Sequence, residues 1–475
     1  MPDNFRRSTD VEDISVSSAP AVRPGEHPSA LSVEGETCTV VVVDTDSEFM
    51  SLEPDWNKLI STADVSVFQT FEWVSTWWKY FGAGCRLNCL VFRSDDRIVG
   101  IAPLFRKKVR MFGIGVATHV QFIGCWLSDY VDMIILPGAE ARVLRAFADH
   151  LRATSGAWDV LDIQDVNERS PLVKQFPHLL EELGFTVTHY QGNVAPYIEL
   201  PPTEDRLLQH SRGYNYRRKV KRLQEKFKAS VELYRYETDD VKGAVEMFSS
   251  IHGGRWNSLG HPSAFEDERH RAFHIEVSQK FAKRDWLRMF FLKVDHQPIA
   301  VNYAFNFRER IYMYQSNAHA SGEIMKSSPG FVIQCIAMTE GIKEGMKVFD
   351  FLRGDEPYKY KEWDAVDSRN YLIRVSPKQP LNRFRFALFL VRELAGKCRS
   401  RIRFETYEYR RFKITDNPSL GKKLGFAGSK AAKLLGMGFR FIIRHSPLRS
   451  LIREAAETAA RPEPAAHAKE EGNGS

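Results

Sequence analysis

Cysteine is scarce in this 475-residue chain, with six in all, and their placement excludes two kinds of chemistry. No CxxC pair occurs, and no cysteine–histidine spacing suits zinc. Cys38, Cys85, Cys89, Cys125, Cys335 and Cys398 read as reduced thiols buried as small hydrophobes, with no metal expected. Long apolar runs are also missing: none approaches the roughly 20 residues that a membrane span needs. The N-terminal stretch MPDNFRRSTDVEDISVSSAP is polar and acidic, without a basic-then-apolar leader. These absences point to a soluble, cytoplasmic chain. There is no GxxxxGK[ST], no GxGxxG after a strand, no GxSxG and no HExxH. Nucleotide hydrolysis, dinucleotide redox chemistry, serine-elbow hydrolysis and zinc proteolysis therefore lack a basis in the sequence.

What is present is an ample core, 43% hydrophobic and 12% aromatic, in a chain long enough for two or three domains. Charge is uneven. From Lys378 to Arg453 there are 19 Lys/Arg against four acids, a net of +15, so the total of +7 leaves −8 for the remainder. We read 1–36 as a disordered lead-in, 37–200 and 201–375 as two domains, 376–455 as a basic helical tail and 456–475 as disordered.

The two central segments repeat one pattern. A helix (71–82) precedes a hairpin (87–109) turning at Ser94–Arg97, and a second helix (268–285) precedes a hairpin (286–307) turning at Asp295–Pro298. Each unit continues with a further strand, a helix (139–154 and 330–345) and a last strand (158–168 and 346–356). Superposing the last strands lays Asp162 on Asp350, Asp165 on Arg353 and Glu168 on Glu356. Helix, antiparallel hairpin, strand, helix, strand is a mixed α/β (α+β) layout rather than a doubly wound one.

Three stretches carry charge or capping chemistry. In SSPGFVIQCIAMTEGIKEG (327–345), Ser, Pro and Gly precede an apolar-periodic helix; this suits ordinary capping or an anion cradle. In FDFLRGDEPYKYKEW (349–363), a buried strand runs into Arg353, Asp355, Glu356, Lys359 and Lys361. That crowd is either a functional loop or a salt-bridge cluster pinning the loop. Between the units, 205–228 is a basic helix with nine Lys/Arg; Arg217, Arg218, Lys219 and Arg222 are candidates to meet a phosphate or nucleic-acid backbone, a solvated helix being the alternative.

The ordered residues Ser328, Pro329, Gly330, Gly345, Asp350, Phe351, Gly354, Asp355, Tyr358 and Lys359 resemble the end of the acyltransferase domain in cellulose-biosynthesis CelD-like proteins, a branch of the GNAT superfamily. The duplicated layout is similar to that of FemAB-type transferases, which are tandem GNAT-like units. The resemblance implies tandem GNAT-like domains with acyl-CoA, such as acetyl-CoA, as co-substrate. It also implies a sheet splayed for the pantetheine arm and a helix start that meets the pyrophosphate. On that basis Ser328, Pro329, Gly330, Phe331 and Arg218 are expected at the cofactor, and Arg255, Trp256 and Asp350 at the acceptor. Asp355 or Glu356 would bind the acceptor or act as base, Tyr358 would protonate the departing thiolate, and Arg353 and Lys359 would be electrostatic partners. One departure is plain: the family's (Arg/Gln)-x-x-Gly-x-(Gly/Ala) loop is absent, because Gln315 and Gly322 lie too far apart.

The reading is an acyltransferase acting on a small-molecule or glycan acceptor, such as a sugar or polysaccharide precursor, with only the second unit active and no role for DNA. The alternatives are an aminoacyl-tRNA-dependent FemAB-like transferase and a non-catalytic accessory protein of polysaccharide assembly. In the tail, 384–404 and 429–452 mix aliphatic and basic residues at helical spacing, which suits either peripheral attachment to the inner membrane face or packing on the acidic body.

Overall fold

The computed structural model describes residues 38–111, 115–258, 263–320, 322–393 and 395–396. The expected lead-in, the far C-terminal segment with its 429–452 stretch, and Cys398 lie outside them. The mixed α/β layout and its repeat are both present. In the first half, β1 (Cys38–Val43) precedes helix α1 (Phe71–Phe81), and strands β2 (Cys89–Ser94), β3 (Arg97–Ala102), β4 (Leu104–Met111) and β5 (Gly115–Phe122) follow. Helix α2 (Glu140–Ala153) then leads to β6 (Val160–Asn167) and β7 (Thr186–Glu199).

The second half opens with the basic helix α3 (His210–Phe227) and β8 (Ser230–Tyr234), then α4 (Val241–Ser258) and α5 (Glu268–Lys283). Strands β9 (Leu287–Val294), β10 (Gln297–Phe307) and β11 (Arg310–Ala318) precede α6 (Pro329–Lys343), β12 (Val348–Asp350), α7 (Pro357–Trp363) and β13 (Val366–Ser376).

The repeat reaches down to single turns. Ser66–Gln69 and Ser263–Glu266 each close a capping box, and each is followed at once by a helix N-cap, Thr70 for α1 and Asp267 for α5. The two equivalent helices pack on each other through Trp73 and Phe273, whose rings meet edge to face at 5.1 Å. One difference is local to the first half. Pro103, which has no N–H for a ladder, separates β3 from β4; β1, β2 and β3 form a four-stranded sheet with Ile134–Ile135, while β4 joins a larger one.

The larger sheet joins the halves by exchange. Its order is β8-β9-β10-β11-β12-β7-β13-β6-β5-β4, closed by Arg86–Leu87. β7, the last strand of the first half, pairs with β12 of the second (Phe349↔Ile198). β13, the last strand of the second half, pairs with β6 of the first (Arg374↔Asp162). The two exchanged strands then run antiparallel to each other from Val366↔Tyr197 to Ser376↔Thr186. The boundary at 200/201 therefore does not part the sheet. The following helices are exchanged as well. α3, after β7, covers the second half, with Leu223 in the cluster around Val332 and Phe349. Helical residues 380–393, after β13, pack Phe386, Phe389 and Leu390 on Ala117 and Val160 of the first half. That part of the basic tail lies against the body and is tied there by Arg385–Asp159 (2.8 Å) and Glu393–Arg374 (3.2 Å).

Buried carboxylates sit at the seam. Asp162 accepts from Arg374 at 2.9 Å, and its counterpart Asp350 accepts from Arg310 and from the Tyr130 hydroxyl, each at 2.8 Å. The residues laid on each other as Asp165 and Arg353 are bonded to one another, Arg353 Nη1 to Asp165 Oδ2 at 2.6 Å, while Arg353 Nε donates to Asp129. Burial opposes the charge on Arg353, but the two carboxylates outweigh it and raise its pKa. Arg353→Leu leaves both carboxylates without their cation at a seam held by exchanged strands. We expect a loss of about 3–5 kcal/mol in urea unfolding, whereas Asp165→Asn, which leaves Asp129 on the guanidinium, costs less; equal losses would place the seam's stability elsewhere.

Candidate functional site

Strands β11 and β12 are parallel neighbours over only three residue pairs, ending at Tyr312↔Asp350. Beyond that point β11 runs on to Ala318 against β10 alone, and β12 ends, so the sheet opens between them. An irregularity sharpens the opening. The β10–β11 register shifts between Tyr303↔Gln315 and Phe305↔Tyr312, leaving one extra residue on β11.

The N-terminus of α6 stands at this open end; a Cβ placed on Gly330 would meet only the Ala318 side chain, at 3.6 Å. Ser328 occupies the N-cap in a left-handed conformation (φ 48°, ψ 61°) and its hydroxyl makes no capping bond. Pro329 has no N–H to offer, and the amides of Phe331 and Val332 both go to the Ser328 carbonyl. Next to them the Ser327 hydroxyl is fully buried without a hydrogen-bond partner. A long helix start with no side-chain cap, backed by an unpartnered buried hydroxyl, is suited to an anion.

The flanking side chains complete the mouth. Lys219 of α3 holds its ammonium 4.4 Å above the Phe331 ring, which stacks on Trp363 at 5.4 Å. Arg218, expected at the cofactor, lies instead on the exposed side of α3 beside Tyr214 and Asn215. Tyr358 on α7 is hydrogen-bonded to Gln334 of α6; burial and the nearby Glu356 push its hydroxyl up to about 12, so it stays an O–H. Arg255 and Trp256 are exposed at the end of α4, Trp256 stacked on His252 at 5.7 Å, and Arg255 is close enough to lower the Tyr358 pKa. Asp355 and Glu356 are exposed on the loop, Glu356 paired with Lys359 at 2.8 Å.

Three expected site residues take structural places instead. Lys359 is buried, with Nζ 3.0–3.3 Å from the carbonyls of Phe351, Leu352, Arg353 and Gly354, so its charge ties the loop rather than facing a ligand. Arg353 is consumed by Asp129 and Asp165. Asp350 is wholly buried, with its oxygens taken by Arg310, Tyr130 and the Leu352 amide, and does not reach an acceptor. The crowded loop is thus mainly a clasp, while Asp355, Glu356 and Tyr358 remain at the opening.

Sequence reasoning missed the buried polar groups around the opening. Asn302 on β10 is fully buried with both amide atoms unpartnered, and Asn317 on β11 buries an unpartnered Nδ2. A signal existed: asparagine interrupts apolar strand runs in AVNYAFNF and YQSNAH. His252 is not exposed as a base. It bonds Ser263 at 2.7 Å, and burial, with His270 and Arg255 nearby, pushes its pKa down to about 4. Burial likewise holds His119 at about 4 and His274 well below its usual value.

Among the described residues no three His, Cys, Asp or Glu side chains converge to hold a metal ion, and no helix is long and apolar enough to cross a membrane. Residues 210–360 match the family model of the acetyltransferase (GNAT) domain. Among solved structures the chain is similar to FemX, at 13% identity and a TM-score of 0.48, over 70% of this chain and 96% of that one. It is also similar to L-PGS from Bacillus licheniformis (10% identity, TM-score 0.43, 72% of this chain and 96% of that one). A tandem GNAT protein from the clavulanic acid biosynthesis pathway matches at 12% identity with a TM-score of 0.41, over 71% of this chain and 98% of that one. No curated protein matches the chain.

The depressed histidines set a pH dependence. Unfolded, they take up protons near pH 6.5; folded, they resist until about pH 4. The unfolded chain therefore binds more protons in that window, and stability falls as pH drops through it, with no contribution lost above neutrality. Urea midpoints should decline from pH 6.5 to 4, less steeply in His252→Gln; an identical slope would remove His252 from the account.

Proposed function

We propose that the second half transfers an acyl group from a CoA thioester to an amine or hydroxyl of a small-molecule or glycan acceptor. The observation that carries this is the start of α6, with no side-chain cap, beside the buried Ser327 hydroxyl at the point where β11 and β12 part. The GNAT-domain match over 210–360 supports it. In this reading the Gly330 amide and the Ser327 hydroxyl receive the pyrophosphate, Lys219 lies alongside it, and the pantetheine arm enters the gap between the strands. The missing family phosphate loop is replaced here by a short Ser-Ser-Pro-Gly turn.

Chemically the step asks for position and charge control. The acceptor nitrogen or oxygen attacks the thioester carbonyl carbon, the C–S bond breaks, and the acceptor's proton passes to a carboxylate or to solvent. Asp355 or Glu356 takes that proton, and the Tyr358 O–H donates to the departing sulfur. Arg255 and Trp256 stand on the acceptor side. The CelD-like relation and a role in polysaccharide assembly belong to the same proposal, as does peripheral membrane contact by the basic tail.

A second reading, transfer from aminoacyl-tRNA, is favoured by one observation: the outer face of α3 carries Arg217 and Arg218 with no carboxylate pairing among the described residues. Calorimetry with acetyl-CoA, longer acyl-CoAs and charged tRNA separates the two. We expect CoA thioester binding that weakens about tenfold or more in Ser327→Ala, the loss of one hydrogen bond to a charged group, with unchanged stability. Tyr358→Phe should bind CoA normally and turn over about 100-fold or more slowly. CoA affinity that is absent, or indifferent to Ser327, would discard the reading; binding of charged tRNA alone would favour the second.

A further inference from the structure

A cleft of about 230 Å³ lies at the seam, against Arg310 and Tyr312 in the part of β11 that is paired with β12. It is built from first-half segments that correspond to those around the second-half site. The Ser66–Gln69 turn is the counterpart of Ser263–Glu266, residues 130–137 precede α2 as 319–328 precede α6, and 167–171 follow β6 as 351–356 follow β12. The start of β11, with Tyr197 of β7 and Ser368 of β13, supplies the remaining wall. It is a cleft open to solvent on the side of Asp64, Pro137 and Arg169, with room for a small organic molecule.

Its chemistry differs from the α6 opening. Glu140 already sits in the first turn of α2, so that helix start does not welcome an anion. Arg310, the guanidinium on the β11 side, is neutralised by Asp350. Across from it Asp132 has no lysine or arginine partner among the described residues; its carboxylate receives only the Met133 amide, at 2.8 Å, and the Ser170 hydroxyl. Burial pushes Asp132 up to about 7, the response of a carboxylate that lacks a cation. Asp64 lines the same space and adds to that pressure. Arg169, over the Tyr197 ring at 6.0 Å, is the one guanidinium of the lining left without an ion pair, against the three carboxylates of Asp64, Asp132 and Glu140. Tyr130, Tyr197 and Tyr312 supply apolar walls with polar tips.

We propose that this cleft is a second ligand site, which takes a small organic ammonium with its nitrogen against Asp132 and its body against the tyrosines. An ammonium compensates the half-buried carboxylate, which no lysine or arginine pairs among the described residues, without requiring the several converging ligands of a metal ion. The site is independent of the acyl-transfer reading.

The test is calorimetry and thermal shift on the full chain, with ethanolamine, putrescine and glucosamine against their neutral counterparts ethylene glycol, 1,4-butanediol and glucose. We expect at least one amine to bind tenfold or more tightly than its counterpart. The preference should be lost in Asp132→Asn, reduced in the exposed Asp64→Asn, and unchanged in Tyr358→Phe. Amines that bind no better than the neutral compounds would overturn the proposal, as would a preference that survives Asp132→Asn. Should Asp132→Asn fail to fold, the wild-type comparison and Asp64→Asn decide, and amine density outside this cleft in an ethanolamine-soaked crystal also counts against it.

Discussion

Arg353 between Asp129 and Asp165 is the contact on which the molecule turns. It joins the loop after β12 to two segments of the first half, at the place where the exchanged strands meet. With the guanidinium held there, the loop is drawn toward the seam, and Lys359 can gather the carbonyls of 351–354 from beneath. That leaves α7 to start at Pro357 and present Tyr358 to α6. The opening between β11 and β12 is therefore set by a charge cluster in which no member contacts the proposed ligand.

Polar burial is handled in two ways. On the seam strands the two matched aspartates find partners, Asp162 with Arg374 and Asp350 with Arg310 and Tyr130. Around the start of α6, and on the neighbouring strands, polar groups are buried without them: Ser327, Asn302 and Asn317. The satisfied pairs hold the scaffold, and the unpaired groups near α6 keep hydrogen-bonding capacity that the strand ladder does not use.

Much of this layout was legible from periodicity and punctuation. The paired hairpins turned where Ser94–Arg97 and Asp295–Pro298 placed them, and the helix from Pro329 began at the Ser-Pro-Gly signal. The functional loop was less legible, because composition cannot tell a charge that faces a ligand from one that faces its own backbone. Lys359 and Arg353 read as electrostatic catalysts and are a clasp and a bolt. Exchange of β7 and β13 was invisible, since strand partners far apart in the chain leave no local pattern. The capping boxes at Ser66 and Ser263 were a stronger mark of duplication than the aligned aspartates, for they fix a turn and not merely a residue type.

The exchange has a consequence for how such a chain could have come about. Cut between the halves, it would be two protomers that each lend a terminal strand and its following helix to the other, the arrangement of a domain-swapped homodimer. In a true homodimer the residues at these matched positions would be identical, and an arginine meeting its own copy would be repelled. Fusion into one chain lifts that symmetry constraint. Asp165 and Arg353 are the visible result: corresponding positions that hold each other because they are free to differ.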